Sequence, residues 1–225
     1  VNANIRQSLK FKSINRRRFY GAGFLIHYID FERTQSIIIG IKESAQMSKY
    51  ILVISASPRK GGNSDTLCDE FIRGAKDNGH ITEKIFLKDK KINYCMGCGV
   101  CNSTHRCVQK DDMQEILEKM VKADVIVMAT PVYFYSMNAQ MKTFIDRTVP
   151  RYTEIKGKDF YYIITAADTK VANMQKAIEG FRGFTIDCLE DTKEKGIIYG
   201  INAWNEGDIK DTPAMQQAYE MGKIS

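Results

Sequence analysis

From Met47 onward, short runs of β-branched and other apolar residues alternate with stretches whose apolar positions recur every three or four residues. The short runs suit strands buried on both faces of a parallel sheet, and the longer stretches suit amphipathic helices. The pattern predicts a strand over Tyr50–Ser55, a helix from 64 to about 78 with Leu67, Phe71, Ile72 and Ala75 inward, and a strand over 82–87. A helix opened by Asp111 as N-cap, with Gln114 three residues on, buries Met113, Ile116, Leu117, Met120 and Val121. A third strand over 124–129 leads into a turn over 130–135, and a helix from about 136 to 148 buries Met137, Met141, Phe144 and Ile145. A strand over 160–165, a helix from about 170 to 181, a strand over 196–201 and a closing helix from about 213 to 222 complete the series.

Strands alternating with helices give an α/β fold of three layers, helices on both faces of a five-stranded parallel sheet. Five strands suit the order 2-1-3-4-5, which sets the loops after strands one and three side by side at the switch point. These are also the most distinctive turns of the chain.

The 225 residues and 44% hydrophobic content allow one substantial core. The formal charge of +6 is concentrated at the front: residues 1–46 hold eight Lys or Arg against three Asp or Glu, and the other 179 residues hold 25 against 24. A nearly neutral body offers no electrostatic footprint for nucleic acid. Arg16-Arg17-Arg18 followed by an apolar stretch has the outline of an export signal. His27 interrupts that stretch, Asp30 closes it, no small-x-small site follows, and it is too short to span a bilayer. The expectation is an N-terminal extension, 1–46, poorly ordered, ahead of one domain over 47–225, with a cytoplasmic location and no membrane partner.

The loop after strand one, Ser57-Pro58-Arg59-Lys60-Gly61-Gly62-Asn63-Ser64, ends at a helix N-terminus, where open N–H groups and the helix dipole favour an anion. Ser57, Asn63, Ser64 and Thr66 offer hydrogen bonds and Arg59 a fixed charge. The loop lacks the Gly-Lys-Ser/Thr of a triphosphate site and the three-glycine dinucleotide fingerprint, which leaves a monophosphate or an ordinary βα turn. The loop after strand three, Pro131-Val132-Tyr133-Phe134-Tyr135, sets flat aromatic surface at a strand's carboxyl end, as a planar ligand, a core or an interface requires. Phosphate cradle and aromatic platform together describe flavin mononucleotide.

The segments Ser55-Ala56-Ser57-Pro58-Arg59-Lys60-Gly61-Gly62-Asn63-Ser64 and Thr130-Pro131-Val132-Tyr133-Phe134 resemble the two FMN-binding motifs of the flavodoxin-like NAD(P)H-dependent FMN reductases. The likeness runs from about Lys49 to Gly222 and takes in Phe144-Ile145-Asp146-Arg147. It implies a flavodoxin-like fold, with Ser57, Arg59, Asn63, Ser64 and Thr66 on the FMN phosphate and Pro131, Val132, Tyr133, Phe134 and Tyr135 around the ring. It further implies that residues 166–168 supply a third contact, and that a second subunit covers the flavin in a homodimer or homotetramer.

Six cysteines without a clear export signal point away from a disulfide scaffold. Cys95-x2-Cys98-x2-Cys101-x5-Cys107 resembles the compact cluster motif of the iron-sulfur flavoproteins, and the resemblance implies a [4Fe-4S] site. Three readings stand for these thiols: a cluster, bare or regulatory cysteines, and structural zinc, which more often takes two ligand pairs from separate turns. Cys68 belongs to the core and His105 to solvent. The implied activity is an FMN-dependent oxidoreductase taking electrons from NAD(P)H or a ferredoxin-like donor and giving them to a small acceptor or a partner protein. No catalytic acid or base is assigned, because the flavin carries the chemistry. A flavodoxin-like electron carrier and a flavin-free cysteine regulator are the competing classes.

Overall fold

The structure is a computed structural model and describes residues Met47–Ser225. The expectation of a poorly ordered extension falls on 1–46, outside the described residues.

The first strand, β1 (Tyr50–Ser55), has five of its six residues buried, as an inner strand flanked on both sides requires. It pairs in parallel with β2 (Ile81–Phe86) on one side and β3 (Val125–Tyr133) on the other. The chain then runs outward through β5 (Asp159–Thr165) to β6 (Lys193–Gly200), again in parallel. The order β2-β1-β3-β5-β6 is the expected 2-1-3-4-5, once the two-residue β4 (Ser136–Met137), antiparallel to the end of β3, is set aside.

Side-chain alternation along β1 explains why both faces are covered. Ile51 and Val53 join Phe71, Val127 and Ala218 in one apolar layer, and Leu52 and Ile54 join Ile126, Met128, Phe144 and Phe181 in the other. Each such side chain, fully removed from water, contributes about 1.5–3 kcal/mol. The first layer is closed by α1 (Asn63–Asp77) and α6 (Pro213–Lys223), the second by α3 (Met113–Lys122), α4 (Ala139–Asp146) and α5 (Gln175–Thr185). A four-residue helix, α2 (Cys101–Thr104), lies within the cysteine segment. Among the described residues no helix is long and apolar enough to cross a membrane.

Four expectations are corrected. The segment over 130–135 is not a plain turn: β3 continues to Tyr133, and a hairpin turns at Phe134 and Tyr135, whose φ values are +50° and +65°. The next helix consequently starts at Ala139 rather than 136, with Asn138 as its cap. Asp111 is no N-cap in a capping box: α3 begins at Met113, and the Asp111 carboxylate, while accepting the Met113 amide at 3.2 Å, is turned chiefly toward Arg147. The helix expected from about 170 begins as a 3₁₀ turn, Val171–Met174, before α5.

Candidate functional site

The carboxyl ends of β1, β3, β5 and β6 open onto a cleft of about 540 Å³. Ser57, Arg59, Asn63 and Ser64 line one end, and Pro131, Val132, Tyr133 and Phe134 line a wall. The structure thus brings the two loops onto one cavity. Thr66 and Tyr135 do not line it. The Thr66 hydroxyl donates back to the Gly61 carbonyl at 3.1 Å, and the Tyr135 ring lies 5.6 Å from the Lys176 ammonium.

At the polar end, Gly62 is the N-cap of α1 and no side chain caps the helix, so its first N–H groups are available to a ligand. Gly62 allows that approach: a Cβ there would sit 2.8 Å from Ser57 Oγ and 3.0 Å from the Arg59 carbonyl. Gly61 holds φ +74°, and its amide is fixed by Asp65 Oδ2 at 3.0 Å. Asp65, buried, also accepts the Ser55 hydroxyl at 2.8 Å and the Lys84 ammonium at 3.1 Å, so its charge is compensated from behind the loop. The Lys84 ammonium loses hydration by partial burial, but its bonds to Asp69 and Asp65 outweigh that and hold its pKa above the usual lysine value. Arg59 is exposed and, among the described residues, forms no ion pair. Glu206 lines the same end, and a Cβ on Gly61 would lie 3.6 Å from its Oε1.

Sequence reasoning placed Ala166 and Ala167 at the site but missed two asparagine roles and the 203–205 part of the wall they belong to. The side chain of Asn63 is committed to the loop after β6: its Nδ2 donates to the Asn205 carbonyl at 2.8 Å, and its Oδ1 accepts from Gly207 N at 3.1 Å. Asn63 thereby positions Ala203, Trp204 and Asn205, which form a third wall with Thr165, Ala166 and Ala167. Asp168 stays outside, accepting the Lys170 amide at 2.8 Å and the Asn173 side chain at 2.6 Å. Trp204 is 76% exposed and Phe134 fully exposed, so the cleft mouth carries bare aromatic surface. The second role is that of Asn138, 1% exposed, which joins the two ligand loops. An asparagine just ahead of an apolar helical period is an N-cap signal, and it was available.

All four clustered cysteines, Cys95, Cys98, Cys101 and Cys107, line a second cavity of about 200 Å³. No three His, Cys, Asp or Glu side chains among the described residues converge as a mononuclear metal site requires. Four thiols around one cavity fit the ligand set of an iron-sulfur cluster, and a four-thiol set also serves structural zinc. Cys68 is fully buried, and burial pushes its thiol pKa far up, as expected of a core residue. His105 is exposed. The six cysteines are free.

Arg147, immediately after α4, reaches back under this segment. Its guanidinium grips Asp111 through two bonds of 2.7 and 2.9 Å, donates to the Asn93 carbonyl at 2.6 Å, and donates to Cys107 Sγ at 3.5 Å. Both members of the ion pair have essentially no exposed side chain, at 1% and 0%. Burial alone raises the Asp111 pKa, but Arg147 and the amides of Asn93 and Met113 outweigh it and bring the carboxyl below its usual value.

Residues 50–179 match the family model described as NADPH-dependent FMN reductase. An iron-sulfur flavoprotein of Methanosarcina thermophila is 42% identical over 181 residues, covering 76% of this chain and 90% of that protein. Another, from Archaeoglobus fulgidus, is 44% identical over 97 residues, covering 43% of this chain and 44% of its own length, so the chain spans under half of that relative. Among solved structures, an NAD(P)H:quinone oxidoreductase from Methanothermobacter marburgensis superposes with a TM-score of 0.60 at 15% identity, covering 79% of this chain and 96% of that one. At that identity the likeness is one of fold.

Proposed function

This chain belongs to the NADPH-dependent FMN reductase family, in its iron-sulfur flavoprotein branch, and on that premise we propose that it is an oxidoreductase working through FMN held in the large cleft. It takes electrons from NAD(P)H or a ferredoxin-like donor and gives them to a small acceptor or a partner protein, and Cys95, Cys98, Cys101 and Cys107 hold a [4Fe-4S] cluster. The observation that carries this reading is the joining of an uncapped helix N-terminus and an aromatic wall in one cleft.

FMN supplies the redox chemistry, in one- or two-electron steps, and the protein supplies position and electrostatics. The open amides of α1, the Ser64 side chain and Arg59 bind the phosphate, with charge-assisted bonds from Arg59, while Ser57, whose hydroxyl donates to the Arg59 carbonyl at 2.7 Å and accepts the Arg59 amide at 3.2 Å, shapes the loop that carries it. Pro131 to Phe134 border the ring on one side, and Ala166, Ala167 and the Trp204 segment on the others. Glu206 opposes the phosphate and must turn away when it binds. Exposed Tyr133, Phe134 and Trp204 suit contact with a second copy of the chain, which would exclude water from the ring. Free thiols in this number suit a reducing cytoplasm.

The test is the absorption spectrum of anaerobically purified protein, with flavin, iron and sulfide counted. Flavin bands with a broad cluster shoulder are expected. Arg59→Ala should lower FMN retention about tenfold or more, as loss of a charge-assisted bond implies, and Glu206→Gln should raise it. A colourless protein refutes the flavin reading. Flavin content unchanged by Arg59→Ala refutes the cradle.

A further inference from the structure

The cysteine segment leaves the body at Lys91 and returns at Asp112, and its neck is stitched shut by hydrogen bonds. Lys91 N donates to Asp112 Oδ2 at 2.6 Å, Asp112 N donates to the Lys91 carbonyl at 3.1 Å, and Gln109 Nε2 donates to the Tyr94 carbonyl at 3.0 Å. Asn93 N donates to Asp111 Oδ2 at 3.1 Å. Every one of these bonds ties backbone or base. Among the four clustered cysteines, the one side-chain bond that reaches a sulfur is Arg147 Nη2 to Cys107.

Arg147 is poorly explained as a stabiliser alone. Its Nε is buried with no partner, a cost that a purely structural ion pair would be expected to avoid. A guanidinium does not deprotonate in a protein, so the donor facing Cys107 is permanent, and Asp111 with the Asn93 carbonyl fixes the fork so that Nη2 cannot swing away. The Arg147–Asp111 pair is neutral overall, which confines its influence to the group the N–H touches. Cavities of about 200 and 290 Å³ share Cys107, Gln109, Arg147 and Pro150 as lining, so the Arg147–Cys107 contact borders both.

We propose that Arg147 is a positioning residue for the cysteine site: it seats the Cys107 sulfur, and its N–H···S bond makes Cys107 the favoured corner for negative charge, raising the reduction potential of a cluster bound there. Hydrogen bonds to ligating sulfur are a general means of setting cluster potentials, and partners of metal ligands commonly alter affinity by about 10- to 100-fold. The proposal rests on the cluster reading of the four cysteines.

The experiment compares wild-type protein with Arg147→Gln, Arg147→Lys and Asp112→Asn, each purified anaerobically. Iron and sulfide content, cluster loss to a chelator, the cluster midpoint potential and bound FMN are measured. Arg147→Gln should lose iron about tenfold or more faster, and its remaining cluster should titrate at a more negative potential with FMN content unchanged. Arg147→Lys, retaining charge but not the fork, should fall between the two. Asp112→Asn weakens the neck without touching sulfur and should leave the potential where it is. A wild-type potential in both Arg147 variants overturns the proposal, as does an equal shift in Asp112→Asn. If Arg147→Gln does not fold, the Arg147→Lys potential decides. A wild-type protein without iron instead overturns the cluster reading itself, and the proposal falls with it.

Discussion

Asn138 Nδ2 donates to the carbonyl of Ala56 at 2.5 Å, across 82 positions of sequence, while its Oδ1 accepts the Met141 amide at 3.1 Å and the Thr130 hydroxyl at 3.2 Å. One buried amide therefore locks the end of β1, the end of β3 and the first turn of α4 in a fixed relation. The cleft exists because these three meet. Asn138→Ala leaves the Ala56 carbonyl and the Met141 amide without their side-chain partner and should cost about 2–4 kcal/mol in urea unfolding. Asn138→Asp keeps the cap but sets a carboxylate against a carbonyl, and should retain less FMN than the wild type. A loss below about 0.5 kcal/mol for the alanine variant would show that backbone packing alone aligns the loops.

The strands were legible because burial on both faces leaves continuous apolar runs such as Ile51-Leu52-Val53-Ile54, which need no partner to be read. The ligand loops were legible for the same local reason: small, hydroxyl and glycine residues stand just before a helix. What stayed hidden depends on contacts far apart in sequence. Asn63 looks like a phosphate donor until Asn205 and Gly207 are found on its amide. Arg147 reads as the end of a helix until Asp111 and Cys107 are found beneath it. Phe134 and Tyr135 carry none of the glycine or asparagine that marks a tight hairpin, so the extension of β3 could not be foreseen.

The approach of α1 to α6 yields a second prediction. A Cβ on Gly74 would fall 1.9 Å from the Tyr219 carbonyl oxygen, and one on Gly222 would fall 2.0 Å from that of Phe71. Neither helix can hold a methyl group there without moving apart. Gly74→Ala, which in an exposed helix would stabilise, should instead destabilise by about 1–3 kcal/mol or more. Because the N-terminus of α1 forms the anion end of the cleft, flavin retention should fall with it. A raised melting temperature for Gly74→Ala would contradict the packing described.

The hairpin at the cleft mouth stores backbone strain. Positive φ at both Phe134 and Tyr135 is the mark of a type I′ turn, a conformation that costs a residue with a side chain roughly 1–2 kcal/mol. Comparing Tyr135→Gly with Tyr135→Ala separates backbone from ring, since both delete the contact with Lys176 and glycine alone accepts φ +65° freely. The glycine variant should be the more stable by about 1 kcal/mol in denaturant unfolding. Equal stabilities would mean that the turn is unstrained. Strain of this kind is maintained where a side chain must be presented, and here it presents Phe134, fully exposed, beside the ring wall.

Acid should weaken the fold through His80. The imidazole is 5% exposed, and its Nδ1 accepts the Lys49 amide at 3.2 Å, a bond that the protonated ring cannot make. Burial first, and the neighbouring Lys49 charge second, hold its pKa below the ordinary histidine value, despite a backbone bond near Ser225 that acts the other way. The unfolded chain therefore binds a proton near pH 6.5 that the folded chain still refuses. Stability is complete above that pH and declines as the pH falls from about 6.5 through the lowered folded value, with no further loss from His80 below it. The urea midpoint of the wild-type protein should accordingly drop between pH 7 and pH 5. His80→Gln, which offers the Lys49 amide an oxygen and carries no titrating proton, should flatten the profile over that interval. The carboxyl of Asp111, held low by Arg147, adds its own loss only under more acidic conditions, below about pH 4. An unchanged slope between pH 7 and pH 5 in His80→Gln would assign the acid sensitivity to other groups.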